Sequence, residues 1–463
     1  MMAWFLLLLS GYLAFLLFRR RLSVLERLTL DSVRLLDSLL EPGEDDDKLN
    51  ALEDRTSKVL VSLLLLLALV VMVALVAVSL PWGWGRFVGD PTTVEALAQW
   101  QGILAFSIGG TVGFLFPKWR AHAGAYSPME QLLHRIALDH PNLHRWLHDR
   151  EVKRWSKRGG TRNPKFLLVT GLARSGTTSL LQALEETGAF SSLHYANMPF
   201  VLAPRTWRWF FKPKSGALKE RSHGDGILVG VESAEALEEP FFMAFSQAQF
   251  VGEQSLTTQV VDAELHGRYL DYQGLVREEG KVYLAKNNNA LLRYPGLRAQ
   301  NRDFTAVLMF REPLVHASSL FAMHRRYVAM QQDDPFVRTY MDWLAHQEFG
   351  GGHKPFCFDE EAGVVTGDVN TLDYWLDRWL DYYRHALTME AHRLLFVGHA
   401  TWSADPDGVL RAILSKAEVN AKHTDLSPHE GRRKVDAGDV DPKRLAAARG
   451  VYDQLVERAL PLN

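Results

Sequence analysis

Two short segments of this chain carry the residue types that bind phosphate. The first, residues 171–178, reads Gly-Leu-Ala-Arg-Ser-Gly-Thr-Thr, with an apolar run before it at 166–169 and a helical pattern after it over 179–187. Strand, glycine-bounded loop and helix form the geometry in which successive backbone N–H groups and a helix N-terminus converge on an anion. Gly171, Arg174, Ser175, Gly176, Thr177 and Thr178 are the candidate ligands. Thr177 stands where a nucleotide-hydrolysing loop carries the lysine that bridges β- and γ-phosphates. The cation sits inside the loop instead, as Arg174. The second segment is the apolar run 305–310, which ends in Arg311, Glu312 and Pro313, with Ser319 further on. A guanidinium stands first where a magnesium-binding strand would end in a carboxylate, and a guanidinium with a hydroxyl suits a second phosphate.

The loop G-x-x-R-S-G-T-T, its helix, and a later apolar strand ending in R-[DE]-P with a downstream serine together resemble the pattern of sulfotransferases. These enzymes use 3′-phosphoadenosine 5′-phosphosulfate (PAPS). The resemblance runs from about residue 165 to the C-terminus, and Arg174 is similar to the arginine form of the loop found in many bacterial members. It implies an α/β fold, a P-loop-type parallel sheet flanked by helices, that moves a sulfuryl group from PAPS to a hydroxyl acceptor. It also implies that the loop amides with Arg174, Thr177 and Thr178 hold the 5′ end, that Arg311 and Ser319 hold the 3′-phosphate, and that no metal is required. Arg174 would then stabilise the charge that builds on the bridging oxygen. Two other readings stay open: a P-loop nucleotide hydrolase or kinase, and a non-catalytic nucleotide-binding membrane protein.

A hydroxyl acceptor needs a general base. His223 comes first, because imidazole titrates near neutrality, with Asp225, Glu232, Glu239 and His194 as alternatives. The segment also reads more simply, as a Gly-Asp-Gly turn followed by a solvated acidic helix carrying Glu232, Glu235, Glu238 and Glu239. Lys286 ends the apolar run 282–285 and resembles the strand-end lysines of some membrane-bound relatives. At the ligand edge of a parallel sheet it could meet the sulfonate or the acceptor, while Asn287, Asn288 and Asn289 read equally well as a helix start. Gly431, Arg432, Arg433 and Lys434 resemble the late basic loop that closes over the donor, or form a plain surface loop.

These residues need a scaffold, and residues 164–463 are expected to supply it. Besides the strands already named, 394–397 reads as a strand, and 371–386 as a helix whose Leu372, Trp375, Leu376, Trp379, Leu380 and Tyr383 pack into a core. Residues 1–117 read as a transmembrane helical region with spans at about 3–18, 59–80 and 96–116. The middle stretch is uncharged and long enough for a bilayer. The loop 19–58 holds eight basic residues, 81–99 only Arg86, and 118–165 eleven, so both basic segments are expected on the cytoplasmic side. The expected location is therefore an integral membrane protein of the bacterial inner membrane with a cytoplasmic catalytic domain, and a lipid or carbohydrate as acceptor.

Residues 118–163 read as a basic helical neck, with Pro141 at a helix start and His140, His144 and His148 along an exposed face rather than around a metal. Gly109 and Gly113 read as ordinary glycine usage in a membrane helix more than as a packing face. The chain has 463 residues, 52 basic and 54 acidic, with a formal net charge of -2. That balance argues against nucleic acid as a partner. One cysteine, Cys357, excludes an internal disulfide and any multi-cysteine metal site.

Overall fold

The uncharged stretch 59–80 forms the middle of a single helix of 43 residues. In the computed structural model, residues 2–43, 46–89, 95, 99–115, 126–211, 219–220, 228–229, 235–359, 366–422, 426, 428 and 440–462 are described. The chain divides into two compact units, Met1–Ile136 and Ala137–Asn463. The first contains α1 (Met2–Arg20), α2 (Ser23–Leu39), α3 (Asp46–Val88) and α4 (Trp100–Leu115). Among the described residues one helix, α3, is long and apolar enough to cross a membrane, and α4 is a shorter apolar helix. Leu60, Leu64, Leu67 and Leu75 of α3 are each more than half exposed.

Gly109 and Gly113 have a packing role that their sequence pattern left undecided. A Cβ on Gly109 would lie 1.9 Å from the Leu8 carbonyl oxygen, and one on Gly113 would lie 2.2 Å from that of Tyr12. The two glycines thus let the backbones of α4 and α1 touch. The expectation of ordinary glycine usage is corrected: the small-residue face is consumed within the unit.

The second unit is built on five parallel strands. They are β1 (Phe166–Thr170), β2 (Phe190–Ser191), β3 (Val282–Lys286), β4 (Thr305–Phe310) and β5 (Leu394–Gly398), in the order β2-β3-β1-β4-β5. Every residue of β1 and β4 is buried, as a parallel sheet covered on both faces requires. Alternation sends Phe166, Leu168, Ala306 and Leu308 into one core and Leu167, Val169, Val307 and Met309 into the other. The chain leaves β1 toward β2 and β3 and returns past β1 to β4. The carboxyl ends of β1 and β4 therefore lie side by side where the strand order reverses, which is where ligands bind such sheets. The register sets Val169 opposite both Lys286 and Val307. The loop after β1, the lysine ending β3 and the arginine following β4 consequently leave the sheet along one edge.

Helices of this unit that bear on the site are α5 (Pro141–Lys157), α6 (Thr177–Glu186), α7 (Glu239–Phe245), α8 (Ala263–Val276), α9 (Pro313–Asp333) and α10 (Leu372–Thr388). In α10 the stripe Trp375, Leu376, Trp379, Leu380 and Tyr383 is buried in the core.

Two expectations are corrected here. His140, His144 and His148 are buried rather than exposed. The His148 ring packs edge-on to Phe241 and Phe245 of α7 and lies against Tyr272 of α8. The acidic stretch is not a solvated helix either: the helix begins only at Glu239, and Glu235, Glu238 and Glu239 are all buried. Buried carboxylates need partners, and each of the three has one from a distant part of the chain.

Candidate active site

Residues 171–176 turn tightly between β1 and α6. Gly171 has φ +148°, and a Cβ there would stand 2.5 Å from the Met309 carbonyl oxygen of the neighbouring strand. Only glycine lets the loop pass this close. Three residues on, Arg174 takes a left-handed backbone (φ 74°), which for a side-chain-bearing residue costs about 1–2 kcal/mol. Such strain collects at functional sites, where surrounding contacts hold it in place. Here Arg174 Nε donates to Ser319 Oγ (3.3 Å), and the Arg174 carbonyl accepts from Arg311 Nη1 (3.4 Å). Gly176 is the N-cap of α6, so the first turn of that helix, with Thr177 and Thr178, opens at the loop.

Arg311 is aimed by its neighbours in sequence. The Glu312 carboxylate caps α9 by accepting from the Val315 N–H (2.7 Å), and Pro313 occupies the first helical position. The acid of Arg311-Glu312-Pro313 thus starts the helix that also carries Ser319.

Lys286 is buried at the end of β3. Its Nζ donates to Thr178 Oγ1 (2.8 Å) and to Glu235 Oε1 (2.7 Å), so it links the first turn of α6 to a carboxylate. Glu235 also accepts from Tyr195 Oη (3.3 Å). Breaking a buried pair of this kind by removing one partner costs about 3–5 kcal/mol. Of the predicted residues, Gly171, Arg174, Ser175, Gly176, Thr177, Thr178, Lys286, Arg311 and Ser319 thus lie along one edge of the sheet. His223, Asp225, Glu232 and the basic loop 431–434 lie outside the described residues.

Among the alternative bases, Glu239 is committed elsewhere. Its two oxygens accept from Arg293 Nη1 and Nη2 (2.7 and 3.0 Å) in a buried pair. The His194 ring pairs with Glu185, and its backbone N–H donates to Asn197 Oδ1 (2.8 Å).

Three site residues escaped the sequence reading. Glu235 was seen only as part of an acidic run. His316, on α9, is fully buried and donates from Nε2 to the Ala173 carbonyl (2.7 Å), bracing the loop from below. Burial above all, only partly offset by the hydrogen bond to Ala173 and reinforced by the charges of Arg311 and Arg174, pushes its imidazole down to about 3. His399 follows β5, and its Cδ2 lies 2.9 Å from where a Cβ on Gly176 would stand. Burial, and then Arg311, lowers it to about 4. Both rings are therefore neutral at physiological pH. No pattern of spacing marks either histidine, because β5 and α9 bring them to the loop from far along the chain.

A buried carboxylate lies on the other face of β3. Glu238 Oε1 accepts from both Tyr269 Oη and Tyr283 Oη (2.7 Å each). Burial outweighs these two hydrogen bonds and pushes its carboxyl up to about 7. Among the described residues no three His, Cys, Asp or Glu side chains gather as metal ligands.

Neither the protein-family models nor the curated proteins yield a match. Among solved structures the chain is similar to sulfotransferase STF1 from Mycobacterium tuberculosis H37Rv, at 15% identity and a TM-score of 0.38, covering 82% of this chain and 96% of that one. It is similar to sulfotransferase STF9 from Mycobacterium avium at 14% identity and a TM-score of 0.36, covering 72% and 79%. A third similarity, to a sulfotransferase from Alicyclobacillus acidocaldarius, has 14% identity and a TM-score of 0.28 and covers 65% and 98%.

Proposed function

We propose that this chain is a membrane-anchored sulfotransferase that moves a sulfuryl group from PAPS to the hydroxyl of a lipid or carbohydrate acceptor. One observation carries the reading: Arg174 and Arg311 meet at the phosphate loop with Ser319 beside them, while Thr177 takes the lysine position of a hydrolase. Two cations at adjacent strand ends suit a substrate with two separated anionic groups.

The residues present fit that donor. Gly171 keeps the loop open to close backbone approach, and the first turn of α6 with Thr177 and Thr178 receives the 5′ phosphosulfate. Arg311 and Ser319 receive the 3′-phosphate. PAPS supplies an activated sulfuryl group: the acceptor oxygen bonds to sulfur, the bond from sulfur to the bridging phosphate oxygen breaks, and the acceptor proton goes to a base. Arg174 is the cation that answers the charge on the leaving phosphate. Lys286 holds Glu235 beside Thr178, which makes Glu235 a candidate to take the proton. His223 remains the sequence-based candidate for the same role. The bare leucines of α3 support a bilayer as the surroundings of the first unit.

Calorimetry on detergent-solubilised protein tests the reading. Adenosine 3′,5′-bisphosphate should bind without magnesium, and Arg311→Ala should abolish that binding. A preference for magnesium-ATP that Arg311→Ala leaves untouched would overturn it in favour of a P-loop hydrolase or kinase.

A further inference from the structure

Helix Pro204–Phe210 presents its large aromatics to solvent. Trp209 is 65% and Phe210 80% exposed, and Arg208 beside them is exposed too. The base of the helix is clamped into the second unit. The Arg205 and Thr206 N–H groups both donate to the Glu151 carboxylate (2.8 Å each), and the Arg205 guanidinium donates to the carbonyls of Leu275 (2.7 Å) and Gly274 (3.0 Å). Trp207 stacks on the exposed Phe211 and leans on Phe200. Trp209 and Phe210 therefore stand on a rigid base.

The surroundings are basic. Arg208 and Arg158 both act on the Arg205 guanidinium, which burial lowers first and Glu151 partly restores. Arg154, Lys157 and Arg158, at the end of α5, are exposed. The nearby Glu278 is already paired with Lys281 (2.8 Å).

We infer that Trp209 and Phe210, with Arg208 next to them in the helix and the exposed basic end of α5 at the helix base, form a docking surface for an anionic lipid bilayer. Indole and phenyl rings enter the headgroup boundary, and arginine and lysine pair with lipid phosphates. Charge complementarity selects this occupant, and the apolar α3 of the same chain keeps a bilayer within reach. The inference rests on the membrane reading proposed above, and it gives the second unit a contact with the lipid surface of its own.

The test uses the full chain in a Cys357→Ser background, with Phe210→Cys carrying an environment-sensitive nitrobenzoxadiazole label. The protein is reconstituted into vesicles of phosphatidylcholine alone or with phosphatidylglycerol. In the anionic vesicles the label should shift to the blue and lose intensity to doxyl-labelled lipid, and high salt or Arg208→Glu with Arg158→Glu should reverse both effects. A label that stays water-like in both vesicle types, on chain that floats with them, overturns the docking surface and leaves the anchor intact. Chain that fails to float overturns both. A blue shift that appears equally in detergent and grows with protein concentration assigns the patch to a second copy of the chain and refutes the lipid assignment.

Discussion

Glu239 was one of the candidate bases, and its partner makes a structural role measurable. Arg293 is fully buried and donates to both Glu239 oxygens, with its guanidinium carbon 3.7 Å from the centre of the Phe242 ring and 4.9 Å from that of Phe250. Glu239→Ala leaves that guanidinium without an anion among aromatic rings, where water cannot replace the lost carboxylate. Removing one partner of a buried, hydrogen-bonded pair costs about 3–5 kcal/mol. At about 2 °C per kcal/mol for a unit this large, the unfolding midpoint should drop by roughly 6–10 °C. The double replacement Glu239→Leu with Arg293→Met removes both charges and should recover most of the loss. Thermal unfolding in detergent can be followed by tryptophan fluorescence, since Trp155, Trp375, Trp379 and Trp402 are buried in the second unit. A Glu239→Ala protein with an unchanged midpoint and abolished turnover would refute the reasoning and return Glu239 to the list of bases.

Other perturbations separate the roles at the sheet edge. Gly171→Ala places a methyl group against the Met309 carbonyl, so bisphosphate binding measured by calorimetry should weaken at least about tenfold, and unchanged affinity would mean that the close approach does not matter. Glu235→Gln takes the anion from Lys286 and so lowers stability too, but where the variant is folded it should lower kcat by about 10²–10⁴, whereas unchanged kcat would remove Glu235 from the base role. Glu238 titrates higher folded than unfolded, so its contribution is fully present below about pH 4.5 and is lost as pH rises through about 7. The loss amounts to about 3 kcal/mol. Glu238→Gln keeps an oxygen for both tyrosines and should flatten stability across that window, and denaturant curves of parent and variant with the same pH slope would contradict this.

The sheet was legible because its central strands are buried on both faces and read as unbroken apolar runs, as at residues 305–310. The two anion segments were legible for a different reason. A loop that approaches a neighbouring strand needs glycine, and a helix start takes proline and a capping acid, so Gly171, Glu312 and Pro313 stand in view. The acidic stretch was misread because adjacent glutamates look solvated. The groups that bury them, Lys286, Arg293, Tyr269 and Tyr283, are far away in sequence and reach them only across the fold. His148 failed similarly: a spacing of four residues defines a helical face, but what covers it there is decided by α7 and α8. At Gly109 and Gly113 the pattern was visible and its partner, α1, was not.

The two neutral imidazoles at the loop bear on how the protein responds to acidity. His316 and His399 stay uncharged until the medium is far more acidic than a cytoplasm, which leaves the attraction for anions to arginine side chains. In the proposed reaction, these two histidines should therefore add no pH dependence to donor capture across the physiological range, leaving the ionisation of the donor's own 3′-phosphate at about 6. With Glu238 replaced by glutamine, so that its titration at about 7 is removed, an inflection in turnover near neutrality points to the group that takes the acceptor proton, and a pH–rate profile becomes a way to look for that group without knowing the acceptor.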